Sequence, residues 1–321
     1  MPTAAPRRTR PLPLDLLDLP APLRADPADP VPHHVRAALD LRLRALLQHD
    51  PGTRTGIDIE DLHQMRVSVR RMRAALKAAR PLLDRTWADG LRSELGWLGG
   101  ALGPVRDLDV MLLRLTAEVA ALPEREQEAG RTLVAVLEAE RVVARERMLG
   151  ALDAPRYTAL LERLADAIRL PLPTPSATTA QPELVDLVRG EARRLHKAVQ
   201  RAGDEPPDAT LHELRILGKR VRYTGELAEQ ALRGTGRGKR IKRLLAATAE
   251  LQEVLGDHQD ACVAETRIRE LLDGLGAGGE APASVAFVAG RLVERERSRA
   301  EAQRALWRAA WERVRTQAEG L

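Results

Sequence analysis

Two stripes of different chemistry run side by side along residues 61–83, DLHQMRVSVRRMRAALKAARPLL. Steps of three and four residues place one apolar set on a single face of a predicted helix: Leu62, Met65, Val69, Met72 and Leu76. The same spacing, one position further along, selects a basic set, called the first basic row: His63, Arg66, Arg70, Arg73 and Lys77. Because successive helical residues lie about 100° apart, this row borders the buried face and faces a groove between helices.

The length of the first basic row indicates the kind of ligand that it suits. At about 1.5 Å of rise per residue, the row from His63 to Lys77 is roughly 21 Å long. A single phosphate needs donors that converge on one point. A row of this length is suited to an extended polyanion.

A second copy of the pattern occurs in residues 210–232, TLHELRILGKRVRYTGELAEQAL. His212 lies 149 positions after His63 (212 − 63), and Leu211, Leu214 and Val221 repeat the apolar stripe. At this offset basic residues recur as a second basic row: His212, Arg215, Lys219 and Arg222. Arg220 likewise matches Arg71. The repetition predicts a tandem duplication.

Other segments recur at nearly the same offset. Residues 98–112, LGGALGPVRDLDVML, match residues 251–263, LQEVLGDHQDACV, and RVVARERM at 141–148 matches RLVERERS at 291–298. We therefore expect an all-α protein with two helical-bundle halves, 32–170 and 183–318, related by a pseudo-twofold. A Pro- and Ser/Thr-rich linker, 171–182, separates them.

Glycine and proline positions give the expected helix boundaries. Gly103 and Gly256 are each predicted to cap one helix just before the next one starts. A helix over 33–49 is expected to end at Asp50, Pro51 and Gly52, and a loop over 233–240 is expected to precede a helix over 241–255. The many prolines of residues 1–31 predict a disordered leader. Its arginines, Arg7, Arg8 and Arg10, are interpreted as part of a solvated tail, with contact to the same polyanion as the alternative.

The pair LHQMRVSVRRMR and LHELRILGKRVRY resembles the two signature helices of the CHAD family, an α-helical domain named for its histidines. The resemblance covers residues 32–318 and needs a His-x-x-Arg-x-x-x-basic-x-x-Arg register twice at matched spacing. It implies two related halves around a basic central groove, with inorganic polyphosphate as the ligand and association with polyphosphate granules.

Further basic residues extend the candidate binding site beyond the two rows. Arg71 and Arg220 lie about 100° further round their helices, so a secondary ligand role or a scaffold ion pair is expected for each. Arg106, in the family-like LGPVRDLDV motif, is predicted to contact either the ligand or the helical turn. A cluster at a predicted helix N-terminus opposes the helix dipole and favours a nearby anion: Lys239, Arg240, Lys242 and Arg243.

Composition agrees with a helical protein whose basic residues act through clustering. Aromatic residues are only 2% of the chain, so Leu, Ala and Val fill the core, and Lys plus Arg exceed Asp plus Glu by 51 − 46 = 5. The single cysteine, Cys262, excludes an intrachain disulfide and fits a reducing cytoplasm. With no signal-like or membrane-spanning apolar run, we expect a cytoplasmic protein with no membrane partner.

Acidic residues near the repeated glycines admit two interpretations. Asp107 and Asp109, or Asp257, His258 and Asp260, resemble metal ligands. The favoured interpretation is that they cap helices and pair with arginines, because metal-binding carboxylates would partly cancel a neighbouring basic groove. We therefore expect no metal and no cofactor.

The function predicted from the sequence is non-catalytic binding of polyphosphate. The chain shows no nucleotide loop, nucleophile motif or carboxylate pair for acid–base work, so no catalytic residue is assigned. A histidine beside arginines can accept a phosphoryl group, so a phosphotransfer or polyphosphate-processing enzyme is the first alternative. A nucleic-acid-binding protein is the second. The scarcity of aromatic stacking platforms argues for nucleic acid only as a non-specific polyanion competitor.

Overall fold

The computed structural model describes residues 17–174, 183–276 and 281–321, and these ranges fold into α-helices without a strand. The predicted all-α fold is confirmed. Within the described ranges the helices are α1 (Val31–Thr55), α2 (Ile59–Ala78), α3 (Arg85–Ala120), α4 (Glu124–Leu152), α5 (Pro155–Arg169), α6 (Leu184–Ala202), α7 (Asp208–Ala231), α8 (Gly236–Gly276) and α9 (Ala283–Glu319). A short 3-10 turn, Arg80–Leu82, follows α2.

The described chain divides into two compact units. Unit 1 comprises residues 17–107 and 141–174, and unit 2 comprises residues 108–140, 183–276 and 281–321. One boundary between the units falls inside α3, after residue 107, and another falls inside α4, after residue 140. Each of these helices therefore contributes to both units. In this division residues 108–140 join the second unit, whereas the predicted first half, 32–170, includes them. The duplication and its pseudo-twofold stay predictions.

The core of unit 1 forms where α1 packs against α2 and α5. The apolar stripe predicted on α2 is buried throughout, with Leu62 the most exposed member at 4%. Leu39, Leu43 and Leu46 of α1 are fully buried. Periodic burial of one face therefore stabilises the helix that carries the first basic row.

The predicted end of α1 at Asp50, Pro51 and Gly52 is wrong. The helix continues to Thr55 with Pro51 inside it, and it ends at Gly56, which has a φ of 69°. This left-handed conformation is one that glycine adopts at little cost. The physical reason for the longer helix is a buried polar network that starts at Asp50.

The Asp50 carboxylate is 2% exposed and accepts hydrogen bonds from two side chains. The Tyr157 hydroxyl of α5 donates to it at 2.8 Å, and Nε of Arg54 donates at 2.6 Å. Arg54 also donates to Asp153 at 2.5 Å and to the Leu152 carbonyl at 2.8 Å. A buried charge needs such partners, so the network holds the last turn of α1 against the end of α4 and the start of α5.

Unit 2 has its core between the second part of α3, the first part of α4, and the helices α8 and α9, around Leu115, Leu133 and Leu292. Helices α6, α7 and α8 pack in succession. A Cβ added at Gly225 of α7 would lie 2.9 Å from Cδ2 of Leu245. Glycine at this position therefore lets α8 approach α7 closely.

The predicted helix–cap–helix arrangement at Gly103 and Gly256 is wrong, because α3 and α8 run through these glycines without a break. Pro104 also lies inside α3. The start of α8 differs from the expectation too: the helix begins at Gly236, so Lys239 and Arg240 belong to its first turns.

Part of the predicted leader is described and packs on unit 1. Leu17 is buried, and its carbonyl accepts from Arg169 at 3.0 Å. The Leu23 N–H donates to the Asp40 carboxylate at 2.7 Å. The predicted leader residues 1–16, with Arg7, Arg8 and Arg10, and residues 175–182 of the predicted linker lie outside the described residues. Among the described helices, none is long and apolar enough to cross a membrane.

We predict that Tyr157→Phe lowers the free energy of unfolding by about 2 kcal/mol, because the buried Asp50 carboxylate loses a hydrogen-bond donor. Chemical denaturation followed by circular dichroism measures the change. Ser68→Ala is the control in the same unit, since the buried Ser68 hydroxyl donates only to the Gln64 carbonyl of its own helix at 2.9 Å. Equal losses in the two variants would show that the Asp50 network does not stabilise the fold.

Candidate functional site

The first basic row lies on α2, whose start is fixed by local chemistry. The Asp58 side chain caps the helix by accepting the Glu60 N–H at 2.8 Å, and Glu60 and Asp61 make the first turn acidic, as the helix dipole favours. His63 and Arg66 are half-buried. The later members of the row, Arg70, Arg73 and Lys77, are exposed.

Glycines of α3 face the arginines of this row. A Cβ added at Gly103 would lie 2.6 Å from Nη1 of Arg66, and one added at Gly96 would lie 3.5 Å from Nη2 of Arg73. Gly99 faces Val69 and Arg73 at 3.6 and 3.9 Å. Gly103 is therefore a close-approach glycine that makes room for a guanidinium. This role accounts for a glycine inside a helix that was predicted to end there.

The arginines of the first row differ in their partners. Nη2 of Arg66 donates to Asp107 at 3.0 Å, which fulfils the predicted pairing of this acid with an arginine. Within residues 17–174 and the other described ranges, no carboxylate pairs with Arg70 or Arg73. Nη1 of Arg106 is buried and lacks a hydrogen-bond partner in the same ranges. The first basic row and the neighbouring Arg106 thus present guanidinium groups with unused donors.

Three arginines act electrostatically on the imidazole of His63. Burial lowers the pKa of His63 below its usual value, and the charges of Arg106, Arg70 and Arg66 lower this pKa further, while Glu60 opposes the shift. The imidazole is therefore neutral at pH 7. The three charges come from Arg66 and Arg70 of α2 and from Arg106 of α3, all in unit 1.

The second basic row lies on α7 in unit 2, and all its members are half-buried. Nδ1 of His212 lies 2.7 Å from Oε1 of Gln259, and because this oxygen only accepts, the imidazole donates the hydrogen bond. A Cβ added at Gly256 would lie 3.8 Å from Nε of Arg215. That nitrogen is buried and has no hydrogen-bond partner in the described part of the chain.

The end of the second row is held by neighbouring polar groups. Arg222 donates from Nε to Glu226 at 2.9 Å and from Nη1 to the amide oxygen of Gln252 at 3.3 Å. Sequence reasoning missed Gln252 and Gln259. Their signal is the spacing 252, 256 and 259, which places both glutamines on one face of α8 with Gly256.

Arg220 and the basic cluster at the start of α8 have other surroundings than the second basic row. Arg220 donates to Glu191 of α6 at 2.9 Å, so it takes part in the scaffold ion pair that was one of its two expected roles. Lys239, Arg240, Lys242 and Arg243 are exposed on the first turns of α8. Arg243 borders a groove with Glu312 and Arg313 of α9. Arg243 lies about 14 Å along α8 from Gln252, the residue whose amide oxygen accepts from Arg222 of the second row.

The acids near Gly256 have different surroundings from those expected. Asp257 and Asp260 are exposed, whereas His258 is 1% exposed. Nε2 of His258 lies 3.2 Å from Asp208 and 3.8 Å from Sγ of Cys262. Burial raises the pKa of the Cys262 thiol to about 11, so it is not a thiolate nucleophile at neutral pH.

Two proteins of Mycobacterium tuberculosis are similar in sequence to this chain. Uncharacterized protein MT2285 of strain CDC 1551 / Oshkosh and Uncharacterized protein Rv2226 of strain ATCC 25618 / H37Rv are each 28% identical to it over 282 residues. The match covers 86% of this chain and 51% of each relative. The chain therefore spans about half the length of these relatives.

Two solved structures are similar to this chain. PptA from Streptomyces chartreusis superposes with a TM-score of 0.70 at 24% identity, over 88% of this chain and 100% of that chain, a likeness that concerns the fold alone. The CHAD domain from the plant Ricinus communis superposes with a TM-score of 0.64 at 26% identity, over 94% of this chain and 95% of that chain.

The CHAD domain model matches residues 37–269, which is well over half of the chain. The all-helical fold of the Ricinus communis CHAD domain agrees with this match. This extent of agreement settles the resemblance first noted in the two histidine-led helices: the chain belongs to the CHAD family.

Proposed function

We propose that the chain binds inorganic polyphosphate, without catalysis, along the first and second basic rows. The observation that carries the proposal is the alignment of guanidinium groups without carboxylate partners, Arg70 and Arg73 on α2 and Arg215 on α7, among the described residues. Membership of the CHAD family, which is linked to polyphosphate, supports the same ligand.

Phosphate binding depends on which arginines have N–H groups that no carboxylate already binds. Arginine binds phosphate oxygens through two parallel N–H groups, and such charge-assisted bonds are stronger than neutral ones. Arginines held by buried or half-buried acids, such as Arg114 with Glu296, are already engaged. Unpaired arginines also occur on other faces, for example Arg147 and Arg193. The rows differ from them because their cations follow one another along a helix.

The spacing of the cations favours a polymer over a single phosphate. The first row extends over roughly 21 Å, so donors at its two ends cannot reach one phosphate group. A linear polyanion places a negative charge opposite each cation in turn and releases counterions along its length. The proposal therefore includes tighter binding of long polyphosphate than of orthophosphate, and weaker binding at high salt.

One observation keeps the phosphotransfer alternative open. The neutral His63 imidazole is under the influence of three guanidinium charges, which favour holding a phosphoryl group near a nucleophilic nitrogen. Incubation with polyphosphate, with and without a divalent metal, followed by assays for released phosphate and phosphohistidine, distinguishes an enzyme from a binding protein. The binding proposal expects neither product.

Competition between polyphosphate and RNA at physiological salt tests the nucleic-acid alternative. Both are polyanions, but single-strand binders add aromatic stacking to the electrostatic attraction. We expect polyphosphate to displace RNA at equal phosphate concentration. Attachment to polyphosphate granules and a location in the cytoplasm remain parts of the proposal, and microscopy of a fluorescent fusion tests both.

We predict that Arg70→Ala with Arg215→Ala weakens binding of long polyphosphate at least about tenfold, because two charge-assisted contacts are lost. Neither residue has a carboxylate partner in the described ranges, so the substitutions leave no acid unpaired. Fluorescence anisotropy with labelled polyphosphate measures the affinity.

Arg147→Ala with Arg193→Ala is the matched control, one exposed and unpaired arginine in each unit. This variant removes the same charge and should change the affinity by less than about threefold. Similar losses in the two double variants would refute the assignment of the ligand to the rows. Comparison with the single variants tests the predicted shared groove, because coupling between Arg70 and Arg215 would make their effects non-additive.

A second prediction concerns Gly103, which makes room for Arg66. Gly103→Ala is expected to displace the Arg66 guanidinium and weaken polyphosphate binding several-fold, with little loss of stability because the flexible side chain yields. Gly100→Ala on the same helix is the control, since no atom lies within 4 Å of its added Cβ. If both variants bind like the wild type in the anisotropy assay, the position of Arg66 does not matter for binding.

A third prediction follows from the lowered pKa of His63. A bound polyanion places negative charge near the imidazole and raises its pKa, so the complex holds more protons than the free protein. Affinity should therefore rise as the pH falls through the window between the raised pKa of the complex and the lowered pKa of the free protein. His63→Gln should remove this part of the pH dependence.

Titration of the histidine signals by NMR, with and without polyphosphate, measures the two pKa values directly. Comparing the wild type with His63→Gln on the same ligand cancels the protonation of the phosphates themselves. A wild-type pH dependence identical to that of His63→Gln would place His63 away from the bound chain.

A further inference from the structure

Asp208, His258 and Cys262 form a cluster in unit 2 that the proposed polyphosphate function does not use. Asp208 is the first residue of α7, and His258 and Cys262 are four residues apart on α8, so both project from one side of that helix. One ligand-forming atom from each of the three lies within 4.8 Å of the other two. Among the His, Cys, Asp and Glu side chains of the described ranges, no other group of three or more brings its ligand-forming atoms this close together.

We propose that these three side chains bind one divalent transition-metal ion of the zinc type, with water in the fourth position. Imidazole nitrogen, thiolate sulfur and carboxylate oxygen are the ligands that Zn²⁺ takes in proteins. The sulfur and nitrogen ligands disfavour Mg²⁺ and Ca²⁺, which prefer oxygen alone. This site goes beyond the proposed function and does not depend on it.

Two of the three distances between the ligand atoms lie close to those of a tetrahedral centre. Zinc bonds of about 2.0–2.1 Å to nitrogen or oxygen and about 2.3 Å to sulfur place neighbouring ligand atoms roughly 3.3–3.6 Å apart. Nε2 of His258 lies 3.2 Å from Oδ1 of Asp208 and 3.8 Å from Sγ of Cys262. Sγ also lies 3.9 Å from Nδ1 of His258, so the Cys262 side chain has to turn toward Nε2 when the ion binds. The distance between the ligand atoms of Asp208 and Cys262 is at most 4.8 Å, which the same rotation can adjust.

The cluster is buried on one side and open to solvent on the other, so an ion can enter it and then be retained. His258 is buried, Cys262 is half-buried, and the Asp208 side chain is 58% exposed. The ion can enter beside Asp208 and then contact the two α8 ligands. Asp257 and Asp260, the acids that the sequence analysis grouped with His258, are exposed and lie outside the cluster.

Arg304 of α9 competes with the proposed ion. It donates to Oδ1 of Asp208, the same oxygen that faces His258, and to the Pro206 carbonyl. Binding of a cation has to displace this contact or use the other carboxylate oxygen. Removing the positive charge of Arg304 should therefore strengthen metal binding, which a cluster serving only as an ion pair would not do.

Cobalt substitution in the reduced chain tests the proposal. Cys262 is the single cysteine of the sequence, so a thiolate-to-cobalt charge-transfer band has one source in each chain. We expect one Co²⁺ per chain, with this band and the visible d–d bands of tetrahedral cobalt, and displacement by Zn²⁺. Cys262→Ser should abolish the charge-transfer band. Asp208→Ala and His258→Gln should each weaken binding at least about tenfold.

Asp257→Ala and Asp260→Ala are the matched controls on α8 and should bind cobalt like the wild type. Arg304→Gln should bind it more tightly. Circular dichroism of each variant checks the fold, and Asp208→Ala keeps the test decisive if the buried His258 cannot be replaced. Absence of the charge-transfer band in the wild type, or wild-type affinity for Co²⁺ in both Asp208→Ala and His258→Gln, would overturn the proposal.

Discussion

The candidate site depends on one constraint: a row of basic side chains lies directly beside a buried apolar stripe on the same helix. On α2 the buried stripe and the first basic row are one residue apart, so packing of the stripe brings the row to the edge of the core. Long arginine side chains tolerate this position because their stems cover apolar surface while their guanidinium groups reach outward. The same packing lowers the pKa of His63, since burial and three neighbouring cations act on it together.

The glycines of α3 and α8 follow from this constraint. A guanidinium that lies along a neighbouring helix needs space that a Cβ would fill, as at Gly103 beside Arg66. Each interior glycine costs about 1 kcal/mol of helix stability against alanine. The helices remain continuous because their other residues are buried in the cores of the two units.

The sequence predicted what depends on local periodicity. The all-α fold, the buried stripe of α2 and the order of the two basic rows along their helices follow from spacings of three and four residues. Features that depend on distant partners were missed. The extension of α1 past Pro51 depends on Tyr157, over a hundred positions away, and Gly103 has its role because of Arg66. The cluster around His258 likewise needs Asp208 from another helix.

The two rows differ in how far their cations are already engaged, and this difference bears on the proposed binding. In the second row Arg222 is held by Glu226 and Gln252, and His212 donates to Gln259. In the first row the exposed Arg70 and Arg73 have no such acids in the described ranges. A phosphate that binds Arg222 must compete with a carboxylate, whereas one that binds Arg70 replaces water. If both rows bind polyphosphate, the first row should therefore supply the larger share of the affinity, and the second should act more through fixed geometry than through free charge.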